Sequence, residues 1–176
     1  MKFISTPLQD AYLIEIDAIS DERGFFARSW CAREFEKHGL NCRLSQSNLS
    51  FNHKSGTLRG MHFQRAPHAE VKLVRCTRGR IFDAIVDIRP SSPTCGKWFG
   101  AELSADNHRM MYVPEGFAHG YLTREDNTEV FYQVSEFYSP ESEGGIRFDD
   151  PQIGIQWPDP ILLVSPKDQA LGYFNR

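Results

Sequence analysis

The chain of 176 residues is 40% hydrophobic and 24% charged, which suits one globular domain over residues 1–176 and leaves little room for two independent cores. It holds no apolar run of about 18 residues that would span a membrane, and it is neither proline-rich nor low in complexity, which excludes fibrous and disordered classes. The net charge of −3 is unevenly spread: residues 54–80 carry seven Lys/Arg against the single acid Glu70, whereas residues 81–176 carry 15 acids and seven bases, a pattern that points to a small anionic ligand and away from extended contact with nucleic acid.

In chain order, Met1 to Ser5 lacks the long apolar core of a signal peptide. Ala11 to Ile16 partly alternates and is predicted as a strand. Ser29 can cap a helix with Trp30 to His38 as its body and Gly39 as its end, and Trp30 and Phe35 are expected in its packed face. Leu58 to Gln64, Val71 to Cys76, Arg80 to Ile88, Met110 to Val113 and Glu129 to Val134 are predicted strands, rich in β-branched and aromatic residues. Arg78-Gly79, Pro90-Ser91-Ser92-Pro93, Asp126-Asn127 and Pro140 supply the turns between such runs. Regular short strands with this punctuation predict an all-β sandwich or barrel with few short helices. The tail after Trp157-Pro158 is expected to pack as an irregular lid or a short helical turn.

Cys31, Cys42, Cys76 and Cys95 show neither metal-finger nor Cys-x-x-Cys spacing. With no secretory signal, free thiols in a reducing cytoplasm are expected, and the sequon Asn48-Leu49-Ser50 is expected to stay unglycosylated.

Two segments can carry chemistry. Leu58-Arg59-Gly60-Met61-His62-Phe63-Gln64 puts an imidazole and a guanidinium in one strand. Alternation assigns Gly60, His62 and Gln64 to one face, and Arg59, Met61 and Phe63 to the other. His62 in a pocket would be a general base near neutral pH; the competing reading is a core histidine bonded to backbone. Val113-Pro114-Glu115-Gly116-Phe117-Ala118-His119-Gly120 is a tight turn delivering His119 to the next strand. This Pro-x-Gly-x-x-His pattern resembles the second motif of the cupin superfamily, small antiparallel jelly-roll barrels. The metal-binding cupin first motif has His-x-His, whereas this chain has His62-Phe63-Gln64, and glutamine is a poor ligand for a divalent transition metal, so no metal is expected.

Ordered motifs run through Asp21-Glu22-Arg23-Gly24-Phe25-Phe26, Gln46-Ser47-Asn48, Leu58 to Gln64, Lys72-Leu73-Val74-Arg75 and Phe82 to Arg89. They continue through Ser92-Pro93-Thr94, Pro114 to Gly120, Asp149-Asp150-Pro151, Trp157-Pro158 and Lys167-Asp168. Through these motifs, over nearly its full length, the chain resembles the dTDP-4-dehydrorhamnose 3,5-epimerase family. The resemblance implies action on nucleotide-linked 4-keto-6-deoxyhexoses, in which C3 and C5 flank the C4 ketone and lose protons to give an enolate. It implies no cofactor, since the oxyanion can be held electrostatically.

By the resemblance, His62 is the base, Asp168 fixes its tautomer, Lys72 holds the enolate oxygen and Tyr132 is the acid that reprotonates C5. The alternatives are a surface acid for Asp168, a salt bridge to Glu70 for Lys72 and a core tyrosine for Tyr132. Arg23 and Arg59 fall on diphosphate contacts, His119 and Lys167 at the sugar–phosphate end, and Phe26 and Tyr138 against the base. Gln46, Asn48 and Glu143 match further binding positions. The resemblance also implies a homodimer in which exchanged N-terminal strands bring Arg23 and Phe26 to the partner's site. One departure stands out: Arg28 occupies a position where the family commonly has glutamate, inverting the charge at the nucleotide end. Alternative readings are a C3-only epimerase acting on another nucleotide-linked keto-deoxysugar and a non-catalytic cupin that binds sugar nucleotides.

Overall fold

The structure, a computed structural model, describes residues 1–175. In chain order it contains β1 (Lys2–Ser5), β2 (Tyr12–Glu15), β3 (Ile19–Asp21), β4 (Gly24–Phe26), α1 (Ala32–Lys37), β5 (Gln46–Asn52), β6 (Thr57–Gln64) and β7 (Lys72–Arg78). There follow β8 (Arg80–Asp87), β9 (Trp98–Ser104), β10 (Met110–Val113), β11 (Phe117–Thr123), β12 (Thr128–Val134), β13 (Glu143–Gly145), β14 (Leu163–Val164) and α2 (Pro166–Gln169). One sheet has the order β1-β2-β10-β7-β12-β5, and the other β13-β6-β11-β8-β9, with β14 added in parallel to β6. From β5 to β8 successive strands alternate between the sheets, as do β9 to β12. This is the jelly-roll architecture, and it explains why each strand run is short: the chain must cross to the opposite sheet after about seven residues.

The core between the sheets is built from the inward face of each. Leu13, Val74, Cys76, Met111 and Val130 from one sheet meet Ile81, Ile85, Leu103, Phe117 and Tyr121 from the other. A second cluster lies outside the first sheet, where Phe35 of α1 packs with Ile14, Leu73, Met110 and Tyr112. A third seats the C-terminal tail, through Ile153, Trp157 and Phe174, on Met61, Ala84 and Val86. The tail is therefore fixed to the outer face of the second sheet, which sets where α2 can sit.

Two expectations need correction. The helix starts at Ala32, with Cys31 at its N-cap and no side-chain cap, so Ser29 does not cap it. Trp30 precedes the helix and packs against Phe35 from the side, so the chain enters α1 later than the Ser29 signal suggests. Gly39 does end the helix, at φ 69° with its N–H on the Glu36 carbonyl.

The second correction concerns β6. Arg59 and His62 both line one cavity, while Met61 and Phe63 pack into the third cluster behind them. Strict alternation fails because Gly60 has φ 126°, in the region that favours glycine, and the pairing of β6 with β11 shifts register between His119 and Tyr121. A β-carbon at Gly60 would lie 2.5 Å from the Gly120 Cα and 2.8 Å from the His119 carbonyl oxygen. Gly60→Ala should therefore destabilise the fold by about 2–4 kcal/mol, combining backbone strain with overpacking against main chain. A urea titration checks this, and a loss under about 0.5 kcal/mol would contradict it.

Candidate active site

A cavity of about 540 Å³ opens at one end of the barrel, with Arg59, His62, Lys72, His119, Tyr132 and Asp168 among its lining residues. Six strands and α2 contribute to it. On β12, Tyr132 stands opposite Asn48 of β5 and Val74 of β7, so it faces the barrel interior with Asn48 and Gln46 beside it on the inner face of β5.

His62 and Asp168 meet although 106 residues separate them, with Nε2 2.7 Å from the Asp168 Oδ1. The local sequence explains how Asp168 gets there. Ser165-Pro166-Lys167-Asp168 is a helix start: the Ser165 hydroxyl accepts the Asp168 N–H at 3.1 Å, and Pro166 occupies the first helical turn. The other carboxylate oxygen of Asp168 accepts the Gly60 N–H at 3.2 Å, and the side chain is 5% exposed. A buried carboxylate held in this way accepts a hydrogen bond from Nε2–H, which leaves Nδ1 of the neutral ring as the acceptor. Burial, the largest influence, pushes the His62 pKa below its ordinary value; Asp168 opposes that shift, Lys72 adds to it and Glu143 opposes it. The result is an imidazole that is neutral at pH 7 and able to take a proton.

Lys72 forms the ion pair that the sequence offers as its alternative: Nζ lies 3.1 Å from the Glu70 Oε1. It also donates to the His62 carbonyl at 3.4 Å and still lines the cavity. The Tyr132 phenol is held above its ordinary pKa, chiefly by burial and then by the charges of Tyr121 and Glu70, so it remains protonated. An imidazole, a lysine side chain and a phenol thus share one cavity.

A second imidazole–carboxylate pair sits alongside. His119 is the cross-strand neighbour of His62, and its Nε2 lies 2.7 Å from Oδ2 of Asp83, a fully buried carboxylate on β8. Sequence reasoning did not single out Asp83; its signal was an acid inside the apolar run of β8. Arg59 is fixed by its Nε donating to the Asn52 Oδ1 at 2.7 Å.

The cavity edge carries a linked set of the other expected residues. Lys167 Nζ is 2.6 Å from Glu143 Oε1, the Tyr138 hydroxyl donates to Glu143 Oε2 at 3.1 Å, and the Tyr138 N–H donates to Gln46 Oε1 at 2.7 Å. Lys167, followed by Tyr138, holds the Glu143 carboxyl below its usual range despite opposing burial. Arg23 and Phe26 lie elsewhere, on the exposed β3–β4 hairpin: Arg23 folds onto Asp21 and Phe26 is 74% exposed, so neither lines this chain's own cavity. Arg28 pairs with Glu34 of α1 at 3.1 Å. Among the described residues, no three His, Cys, Asp or Glu side chains converge as a metal-binding group. Gln64, at the would-be ligand position, is bound up with the His68 and Phe137 carbonyls.

The family profile described as dTDP-4-dehydrorhamnose 3,5-epimerase matches residues 5–176. The chain belongs to this family. It is 45% identical over 174 residues to the dTDP-4-dehydrorhamnose 3,5-epimerase of Escherichia coli K12, an alignment that spans 97% of this chain and 93% of the relative. The crystal structure of the dTDP-4-dehydrorhamnose 3,5-epimerase from Elizabethkingia anophelis superposes with a TM-score of 0.95 at 43% identity, covering 99% of this chain and 96% of that one. The Legionella pneumophila dTDP-6-deoxy-D-glucose-3,5-epimerase, solved in complex with dTDP-4-keto-L-rhamnose, gives a TM-score of 0.92 at 39% identity over 98% of this chain and 92% of its own. The jelly roll and its cavity are therefore those of an epimerase family of the cupin type.

Proposed function

We propose that the chain inverts C3 and C5 of a dTDP-linked 4-keto-6-deoxyhexose by proton transfer next to the C4 ketone. The observation that carries this reading is the His62–Asp168 pair placed in one cavity with Lys72 and Tyr132. His62 takes the proton at Nδ1 while Nε2–H stays on Asp168, which stabilises the imidazolium as it forms. Lys72 places positive charge where the C4 oxygen becomes an oxyanion. Tyr132, kept protonated, returns a proton to C5 from the other side of the ring; water delivers the proton to the opposite face of C3, and His62 and Tyr132 regain their starting protonation states by exchange with water between steps. Arg59 binds the diphosphate, His119 and Lys167 the sugar–phosphate end and Tyr138 the base, with Gln46, Asn48 and Glu143 as further binding positions. The rate then arises from preorganised charge and protonation states on this chain's own residues.

The protein acts as a homodimer in this reading, with the N-terminal strands exchanged so that Arg23 and Phe26 reach the partner's cavity. Several features support it. Ile19 and Phe26 of the hairpin and Leu49 of β5 are 73%, 74% and 61% exposed, and Arg75 Nε and Gln133 Oε1 are buried without a partner among the described residues. The cytoplasm is the assigned compartment: the four cysteines are free, and no helix among the described residues is long and apolar enough to cross a membrane.

The test is incubation in D₂O with a panel of nucleotide-linked 4-keto-6-deoxyglucoses, with deuterium counted by mass spectrometry. Two exchanged carbons on the dTDP sugar support the proposal. One exchanged carbon would make the chain a C3-only epimerase, and none with any nucleotide would leave a binding protein. Sedimentation of the same preparation should give twice the chain mass; a monomer would rule out strand exchange.

A further inference from the structure

Glu70 is not part of the cavity wall, yet its carboxylate is 3.1 Å from the Lys72 ammonium, and the two side chains are only 12% and 10% exposed. Glu70 Oε2 lies 3.4 Å from the amide nitrogen of Gln64. Gln64 is rigid because that nitrogen also donates to the His68 and Phe137 carbonyls at 2.9 and 3.2 Å, while its oxygen accepts the Ser139 N–H at 2.7 Å. A lysine has a flexible four-carbon stem and no fixed fork, so a lysine that must present charge at one point needs an anchor. Glu70 and the His62 carbonyl are the acceptors that supply it.

Two effects of this carboxylate compete. It cancels part of the positive field that Lys72 offers an enolate, and it also fixes the place of an ammonium that would otherwise swing on its flexible stem. At about one-tenth exposure the second effect wins, because removing one partner of a buried ion pair leaves an uncompensated charge. We infer that Glu70 is a positioning residue for epimerisation, holding the Lys72 ammonium aimed into the cavity. The inference rests on the assignment of Lys72 to the developing oxyanion.

Glu70→Gln keeps the shape and removes the charge. It should lower kcat by about tenfold or more while changing KM less than about threefold, since the lost interaction belongs to the transition state. Glu70→Asp, which withdraws the charge by one methylene, should give a smaller loss of the same kind and covers the case in which the glutamine protein folds poorly. In a Lys72→Met background, Glu70→Gln should add less than about twofold, because its effect passes through Lys72. An equal loss in both backgrounds, or a change confined to KM, would overturn the inference. A measurement independent of activity is a crystal structure of Glu70→Gln, in which the Lys72 Nζ should move away from the His62 carbonyl that it reaches at 3.4 Å in the unaltered protein. An unmoved Nζ would also defeat the idea, whereas an inactive parent protein with a displaced Nζ in the variant would count only against the epimerase reading.

Discussion

Replacement of His62 by alanine is expected to abolish deuterium exchange at C3 and C5 together, with a loss of about 10³-fold or more in kcat/KM, because one base serves both carbons. The physical basis is the hydrogen bond of 2.7 Å to Asp168, which leaves a single ring nitrogen free to act. Exchange is the right readout, since it reports proton removal whether or not inversion follows. The same residue sets the acid side of the pH profile. Burial is the main cause that lowers the His62 pKa below its unperturbed value of about 6.5. Activity needs the neutral ring, so kcat/KM should be level around pH 7 and decline only as pH falls through a value under about 6.5. An alanine variant that still exchanged either proton would remove His62 from the mechanism. An acid limb centred above pH 7 would show that the paired carboxylate, rather than burial, dominates the ring.

Tyr132→Phe is expected to separate the two steps. Deleting the hydroxyl removes the acid assigned to C5, and inversion there should fall by about 10²-fold or more, as for loss of a general acid. Exchange at C3 should stay within about threefold of the unaltered protein, since His62, Asp168 and Lys72 are intact. The product would then be mainly the C3-inverted sugar, measurable by NMR of the ring protons. The phenol is suited to this role because burial and neighbouring charge keep it protonated. Equal loss at both carbons would mean that Tyr132 shapes the cavity as a whole and is not a proton donor to C5 alone.

Parts of this molecule could be read from composition and spacing. Runs such as Arg80 to Ile88 and Met110 to Val113 declare themselves as strands because both faces are covered and apolar residues dominate. β5 does not: its inner face carries Gln46, Asn48 and Ser50 toward the cavity and its outer face exposes Leu49 and Phe51, so the usual pattern of apolar inside and polar outside is inverted. The alternation assumed for β6 failed at Gly60, where φ is 126°. The helix cap failed at Ser29 because tertiary packing of Trp30 and Phe35 sets where α1 begins.

The sequence by itself determined the all-β class, the basic block around Arg59 and Lys72, and, through ordered motifs, the family and the set of candidate residues. These are properties of residue type and local spacing, which a linear chain displays openly. Only the tertiary structure decided which of those residues meet. His62 and Asp168 are joined because β14 and α2 fold back along β6, Asp83 matters because β8 lies beside β11, and Glu70 matters because a buried ammonium needs a counter-charge. Contacts of long sequence separation leave no periodic trace in a single chain. They are fixed by how two sheets close over a core, and the chemistry is assembled where that closure leaves a cavity.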